Sequence, residues 1–229
     1  MTETEWLACN HPDDMLPFLQ GVVSDRKLRL VACEACRDLF GLLSRLAPGA
    51  VPDDEVVWSG LHAAERFLET RLRPGELEAV SSLVYAHSNS KRWLEYAIAS
   101  TARPSAWEAC DQTFMGLRDF ADEVGWYLPG PVPEMDGAGF WDGVRQAALL
   151  RDVFGNPFRP AAFAPEWRTD TVVALAAQMY ETRSFEAMPI LGDALQDAGC
   201  DSDEVLSHCR GPGPHVRGCF VADLALGRT

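Results

Sequence analysis

The chain has 229 residues, of which 47% are hydrophobic, so it can bury a sizeable core without disulfides or metals. Its 34 acidic and 20 basic residues give a net charge of -14, which would repel a nucleic-acid backbone or an anionic membrane surface. These numbers predict no nucleic-acid partner. A basic protein is the partner that the charge favours.

The seven cysteines are an odd number, and no charged segment followed by an apolar one opens the chain. We therefore expect a cytoplasmic protein with reduced thiols. The unbroken apolar runs are far shorter than the roughly 20 residues that cross a bilayer, which predicts no membrane span.

The first residues predict two short helices. Thr2 and Glu5 have the spacing of a capping box for the first helix, and Pro12 ends it. Asp13 is the expected N-cap of the second helix, which ends at Gly21. Pro12 therefore separates the two predicted helices.

The clearest amphipathic helix follows. Ser24 is its expected N-cap, and apolar residues recur at three- and four-residue steps as far as Leu46. The opposite face of this helix carries three arginines: Arg29, Arg37 and Arg45.

Further helices fill the segment up to residue 127. Asp53 and Asp54 open one helix, Pro74 sits where a first-turn proline belongs, and Pro104 starts another. No stretch shows the period-two alternation of a strand. The pattern predicts an all-α protein, either a helical bundle or stacked helical pairs.

Residues 128–139 hold three prolines and three glycines and cannot continue a helix. This segment is the predicted linker between two packed helical subdomains, residues 1–127 and 140–229. Five helices are predicted in the second subdomain: Phe140 to about Phe154, one capped by Asp170, Ile190 to Ala198, Asp201 to Cys209, and His215 to Leu226.

Four soft ligands stand close together near the C-terminal end. Cys200, Cys209, His215 and Cys219 have the spacing C-x8-C-x5-H-x3-C, and four such ligands on one helical hairpin can hold zinc. RNA-binding fingers with related spacing have the last two ligands in the other order and basic, aromatic surroundings, which this segment lacks. In the alternative interpretation, the cysteines are small buried hydrophobes and no metal is bound.

Two other interpretations of the cysteines stay open. Cys33 and Cys36 lie inside the strongest helix, where core packing is expected, although a site shared with Cys9 and His11 is the alternative. A thiol-dependent hydrolase needs a thiol, a histidine and an orienting acid, and these types occur together near the C-terminal end. They are Cys209, Cys219, His208, His215 and Asp223.

Four segments of the chain read EWLACNHPDDMLPFLQG, SDRKLRLVACEACR, LLRDVFGNPFRP and AMPILGDALQDAGCDSDEVLSHCRGPGPHVRGCFVADLALG. They resemble segments of a large family of bacterial proteins whose activity is uncharacterised. The resemblance implies a bacterial protein of that family and supplies no site residues.

The absence of a specific catalytic motif, the dispersed acidic charge and the helical pattern favour an interaction module that binds or neutralises a protein partner. The alternative is a zinc- or thiol-dependent hydrolase centred on the C-terminal cysteines and histidines. The catalytic residues and the oligomeric state stay open at this point.

Overall fold

A computed structural model describes residues 1–46, 55–69, 73–87, 93–125 and 143–228. Within these ranges the protein is all-α, as predicted, and contains helices and no strand. The α-helices are α1 (Glu3–Ala8), α2 (Pro12–Leu19), α3 (Asp25–Leu46), α4 (Glu55–Leu68), α5 (Pro74–His87), α6 (Trp93–Thr101), α7 (Ala106–Gly125), α8 (Gly143–Phe154), α9 (Asp170–Thr182), α10 (Met188–Asp197), α11 (Asp203–Arg210) and α12 (Phe220–Leu226).

The chain forms two compact units, which divide it differently from the predicted subdomains 1–127 and 140–229. The first unit contains residues 1–27 and 147–229, and the second contains residues 28–146. Long-range hydrogen bonds explain why the first residues belong with the C-terminal part: Trp6 Nε1 donates to the carbonyl of Gly155 at 3.0 Å. The predicted linker, residues 128–139, and the predicted helix start at Phe140 lie outside the described residues.

The two N-terminal helices form with one change from the prediction. Thr2 and Glu5 make the expected capping box of α1. The predicted N-cap at Asp13 is wrong, because α2 begins at Pro12 and has His11 as its N-cap. Proline at the first helical position has its backbone angle already fixed for a helix, so the helix starts one residue before the acidic pair.

The helix α3 has the predicted apolar stripe, and one arginine outside this stripe is buried as well. Arg29 is only 2% exposed, and its guanidinium donates to the carbonyls of Thr101, Arg103 and Pro104 at 2.7–3.0 Å. These carbonyls lie at and just beyond the C-terminal end of α6, where unpaired acceptors and the helix dipole favour a cation. Arg29 is therefore a buried helix cap. Arg37, in contrast, forms a part-buried ion pair with Glu65.

The remaining helices of the second unit start close to the predicted positions. α5 begins at Pro74, as predicted, and α7 begins at Ala106, two residues after Pro104. Asp53 and Asp54, the predicted start of α4, lie outside the described residues.

The first unit packs helices α9 to α12 around one apolar core. α10 and α11 approach closely at Gly192, where an added Cβ would lie 2.9 Å from Cys209 Cβ. No helix in the described ranges combines the length and the apolar composition needed to cross a membrane. The apolar core of α9 to α12 includes the buried side chains of Val172, Met179, Tyr180, Met188, Leu191, Leu195, Val205, Phe220 and Val221.

The last helix is shorter than predicted. It was expected to begin at His215, whereas α12 begins at Phe220 and has Cys219 as its N-cap. Gly218 has φ +93°, a left-handed conformation that a right-handed helix cannot include. Residues 211–219 therefore form a loop between α11 and α12, and residues 203–226 are called the C-terminal hairpin below.

Candidate metal centre

Four side chains of the first unit converge on one point. They come from three places in the sequence: the end of α8, helix α11 and the loop of the C-terminal hairpin. One ligand atom from each lies within 4.8 Å of every other. The four residues are Asp152, His208, His215 and Cys219.

Asp152 links α8 to the loop. It lies in the last turn of α8 and is 2% exposed. Its Oδ1 is 3.0 Å from His215 Nδ1, and its Oδ2 accepts a 3.0 Å hydrogen bond from the backbone N–H of Val216. The carboxylate therefore has one oxygen held by the backbone and one oxygen directed at the imidazoles.

The orientation of His215 is fixed from its other side. Its Nε2 lies 3.4 Å from the carbonyl of Gly211, across the width of the loop. In the tautomer that carries its proton on Nε2, this nitrogen donates to the carbonyl, and the lone pair of Nδ1 is then available to an ion in the cluster. A hydrogen bond from the second ring nitrogen is how metal-ligating histidines are usually held in place.

His208 faces two members of the cluster with a single nitrogen. Its Nε2 lies 3.1 Å from Asp152 Oδ1 and 3.2 Å from Cys219 Sγ. The ring is held against Phe220, with the ring centroids 4.4 Å apart. Thus α11 and the first residue of α12 together set the direction of this imidazole.

Cys219 is the most deeply buried of the four. It is 0% exposed, and burial raises the pKa of its thiol well above the usual value. The negative charge of Asp152 raises this pKa further, whereas the backbone N–H groups of Val221 and Ala222 lower it. A divalent cation would reverse the balance, since coordination deprotonates a thiol outright.

The distances can be compared with those of a tetrahedral zinc site. With Zn–N near 2.0 Å and Zn–S near 2.3 Å, neighbouring donor atoms lie about 3.3–3.6 Å apart. Three of the six separations among the four donor atoms, 3.0 Å, 3.1 Å and 3.2 Å, are a few tenths of an ångström shorter, and all six are at most 4.8 Å. Insertion of an ion would require these three pairs of atoms to separate by a few tenths of an ångström.

The same geometry does not suit a thiol–histidine–acid relay. In such a relay the acid holds one ring nitrogen and the nucleophile bonds to the other. Here Nε2 of His208 faces both Cys219 and Asp152. Asp223, the acid expected for a hydrolase, instead accepts hydrogen bonds from Arg26 and Tyr180. The four donor atoms instead face a common point.

The structure brings together two of the four predicted zinc ligands. His215 and Cys219 belong to the cluster, and Cys200 and Cys209 do not. Cys209 lies in the apolar core against Gly192, and burial, followed by the charge of Cys200, raises the pKa of its thiol to about 12. Cys200 is 4% exposed in the same core. Cys200 and Cys209 therefore have the environment that the alternative interpretation predicts, in which the cysteines are small buried hydrophobes.

The predicted zinc ligands did not include Asp152 or His208, and His208 was named only for the hydrolase alternative, although local patterns point to both residues. Val205 and Cys209 form an apolar i, i+4 pair on α11, which turns Cys209 to the core and leaves the adjacent His208 about 100° away. Asp152 lies three residues after Leu149 on the buried side of α8, near a helix end that disfavours an acid. A buried carboxylate in that position needs a hydrogen-bond donor or a cation, but the two histidines that contact Asp152 are more than fifty residues away in the sequence.

The other cysteine interpretations concern α3. Cys33 and Cys36 are both fully buried, and desolvation raises the pKa of both thiols. This is the environment expected for core packing. Within the described ranges, neither they nor Cys9 and His11 belong to a group of converging metal ligands.

Comparison of the chain with protein-family models, with curated proteins and with solved structures returned no match. The resemblance of its terminal segments to a bacterial family therefore stays a prediction.

Proposed function

We propose that this chain is a zinc-binding protein in which one ion joins the C-terminal hairpin to α8. One observation carries the proposal: the ligand atoms of Asp152, His208, His215 and Cys219 all lie within 4.8 Å of one another, although they come from distant parts of the chain. Two of these residues are almost fully buried. Buried polar groups are retained where they are paired or bind a metal.

The types of donor favour zinc. Two imidazole nitrogens, one thiolate sulfur and one carboxylate oxygen are the ligands that zinc takes in tetrahedral sites, whereas magnesium and calcium select oxygen alone. The charges also favour a divalent ion. Zinc with one thiolate and one carboxylate forms a neutral centre, which costs less to bury than an isolated charge.

The number of donors favours a structural role. A catalytic zinc site keeps an open position for water or substrate, but four protein donors complete a tetrahedron. This supports a stabilising ion over the hydrolase alternative. The free energy of binding would then contribute directly to the folding of the first unit.

The test is the metal content of protein purified without a His-tag. We expect one zinc per chain in the native protein and its loss in Cys219→Ala. Cys200→Ala is the matched control, since it removes another buried cysteine from the same core outside the cluster. It should keep the metal. Equal zinc contents in the two variants, or no zinc in the native protein, would contradict the proposal.

Cobalt substitution gives a second readout that does not depend on stability. Co²⁺ in a tetrahedral site with one thiolate shows a sulfur-to-metal charge-transfer band and intense d–d bands. We expect these bands in the native protein and in Cys209→Ala, because Cys209 lies outside the cluster. The charge-transfer band should be absent from Cys219→Ser. A band that depends on Cys209 would restore the ligand set predicted from sequence.

The acidic charge supports a second proposal, that the protein binds a basic protein partner. The net charge of -14 favours such a partner through long-range attraction. A partner recovered from the native lysate should rebind in purified form, and its affinity should fall steeply as salt is raised. Binding that does not depend on salt would remove the electrostatic argument.

A further inference from the structure

We propose that the metal ion controls the docking of the N-terminal helices, and that residues 151–159 transmit its effect. These residues are called the docking segment. The inference depends on the proposed zinc site and concerns its regulatory consequence. It starts from the position of Asp152 in a segment whose other members hold residues 1–27 in place.

One side of the docking segment belongs to the candidate metal centre. Asp152 provides a ligand atom and also accepts the N–H of Val216 from the loop. Three residues later, Gly155 has φ +61°, and a Cβ there would lie 3.1 Å from Phe220 Cγ. The ring of Phe220 in turn contacts His208. Both Asp152 and Gly155 thus pack against the C-terminal hairpin.

The other side of the docking segment holds α1 and the chain between α1 and α2. Arg151 donates twice to the carbonyl of Cys9, at 3.0 Å and 2.6 Å. Gly155 accepts the indole N–H of Trp6. Glu3 accepts hydrogen bonds from Asn156 and Arg159 at 2.7 Å and 2.6 Å.

Two further contacts extend the same attachment. Phe158 stacks on Phe18 of α2, with centroids 4.8 Å apart and planes 9° from parallel. Lys27 Nζ donates to the carbonyl of Val153 at 2.6 Å. Residues at both ends of the N-terminal segment therefore bind a stretch of nine residues that contains one metal ligand.

The N-terminal helices depend on this attachment. α1 has six residues and α2 has eight, and helices this short are marginal in water without tertiary packing. Their main polar and aromatic contacts are with the docking segment. An ion that ties Asp152 to the hairpin fixes that segment, whereas the ion-free protein lets it open locally. Occupancy of the metal site would then set the fraction of molecules with α1 and α2 docked.

Hydrogen exchange followed by mass spectrometry tests this coupling on the full-length protein. On removal of zinc with a chelator, we expect exchange in residues 1–19 to become about tenfold faster, with α9 and α10 little changed. Unchanged exchange in residues 1–19, with one zinc per chain measured beforehand, would refute the coupling and leave the zinc site intact. Equal acceleration in α9 and α10 would also refute it, because the unit would then be unfolding as a whole. If no zinc binds, both proposals fail.

Two ligand variants locate the coupling. Asp152→Asn removes the docking segment from coordination and leaves three ligands on the C-terminal hairpin. At a zinc concentration that loads it, exchange in residues 1–19 should no longer respond to the metal. Cys219→Ser also loses one ligand but keeps Asp152, so that its response should persist once it is loaded. The same response in both variants would show that Asp152 does not transmit the effect.

Reciprocity provides a variant that leaves every ligand in place. If zinc favours docking, weaker docking must lower zinc affinity. Trp6→Phe keeps an aromatic ring but loses the hydrogen bond to Gly155, and we expect about fivefold weaker zinc binding. Trp93→Phe, on α6 in the second unit, is the matched control and should bind zinc normally. Equal affinities for the two variants would contradict the coupling.

Discussion

Two buried carboxylates of the first unit are satisfied in different ways. Asp223, 1% exposed, accepts from the guanidinium of Arg26 at 2.8 Å and from the hydroxyl of Tyr180, and the Lys27 ammonium lies 3.8 Å away. The charge of Asp223 is thus balanced by cations of the protein itself. Removal of one partner of such a pair leaves an uncompensated buried charge.

Asp152 is just as buried, at 2% exposed, but its partners are His215 Nδ1 at 3.0 Å, His208 Nε2 at 3.1 Å and the backbone N–H of Val216 at 3.0 Å. The Lys27 ammonium, whose charge interacts with both acids, lies 3.8 Å from Asp223, and no lysine or arginine among the described residues forms an ion pair with Asp152. The charge of Asp223 is therefore balanced without a bound ion, whereas a metal ion held by the four donor atoms would balance the charge of Asp152. Asp223 thus belongs to an internal ion pair and Asp152 to the proposed metal site, although the two carboxylates are equally buried.

The largest expected difference between the two carboxylates is in their response to zinc. Free zinc at a thousand times its dissociation constant should raise the free energy of unfolding by about 4 kcal/mol. The Asp223→Asn variant should show the same increase, and Asp152→Asn should lose most of it. Urea denaturation at fixed zinc, followed by circular dichroism, measures the three values.

A similar zinc response in Asp152→Asn would mean that the carboxylate is not a ligand. The ion would then be held by the histidines and the thiol alone, and the contrast between the two acids would disappear.

The second prediction concerns the ion pair. Asp223→Ala should lower the free energy of unfolding by about 3 kcal/mol, since Arg26 and the Tyr180 hydroxyl lose a buried acceptor. This cost should be the same with and without zinc. If the loss of unfolding free energy in Asp223→Ala is larger with zinc than without it, Asp223 supports the metal centre. The ion pair and the metal centre would then be energetically coupled.

The sequence predicted the helices far better than the contacts between them. The capping box of Thr2 and Glu5 and the apolar stripe of α3 depend on local spacing, which a sequence displays directly. The burial of Arg29 depends on carbonyls more than seventy residues away, and no local pattern shows them. Spacing therefore placed Arg29 opposite the apolar stripe of α3 and could not indicate that it is buried.

The candidate centre shows the same limit. His215 and Cys219 were selected because they lie close in sequence, and the structure does bring them together. The predicted helix that was to align them does not exist, because Gly218 has a left-handed backbone and α12 starts after it. Asp152 lies beside His215 only because α8 packs against the C-terminal hairpin. The spacing of residues within the hairpin cannot indicate this contact.

The third prediction tests the packing behind the hairpin. Gly192→Ala would place a Cβ 2.9 Å from Cys209 Cβ, closer than real carbon atoms approach, so α10 and α11 must move apart. We expect a loss of about 2 kcal/mol in unfolding free energy. Gly41→Ala, in α3, meets no atom within 4 Å and should instead stabilise the protein by up to about 1 kcal/mol.

These two helical glycines separate close packing from helix propensity, and thermal denaturation suffices to compare them. If α11 moves, His208 moves with it, so zinc affinity should also fall in Gly192→Ala. A destabilised variant with unchanged zinc affinity would show that the hairpin adjusts without displacing its histidine.

The smallest expected effect belongs to the hydroxyl that connects the two regions. Tyr180 donates to Asp223 and accepts the backbone N–H of Gly218 at 2.9 Å, next to Cys219. Tyr180→Phe should cost about 1 kcal/mol of unfolding free energy, since Arg26 still pairs with Asp223 but the buried N–H of Gly218 loses its acceptor. Zinc titration of the same variant decides whether this hydrogen bond positions the thiol. Weaker binding would mean that it does, because Gly218 sets where the loop presents Cys219, whereas unchanged binding would confine the role of Tyr180 to the ion pair.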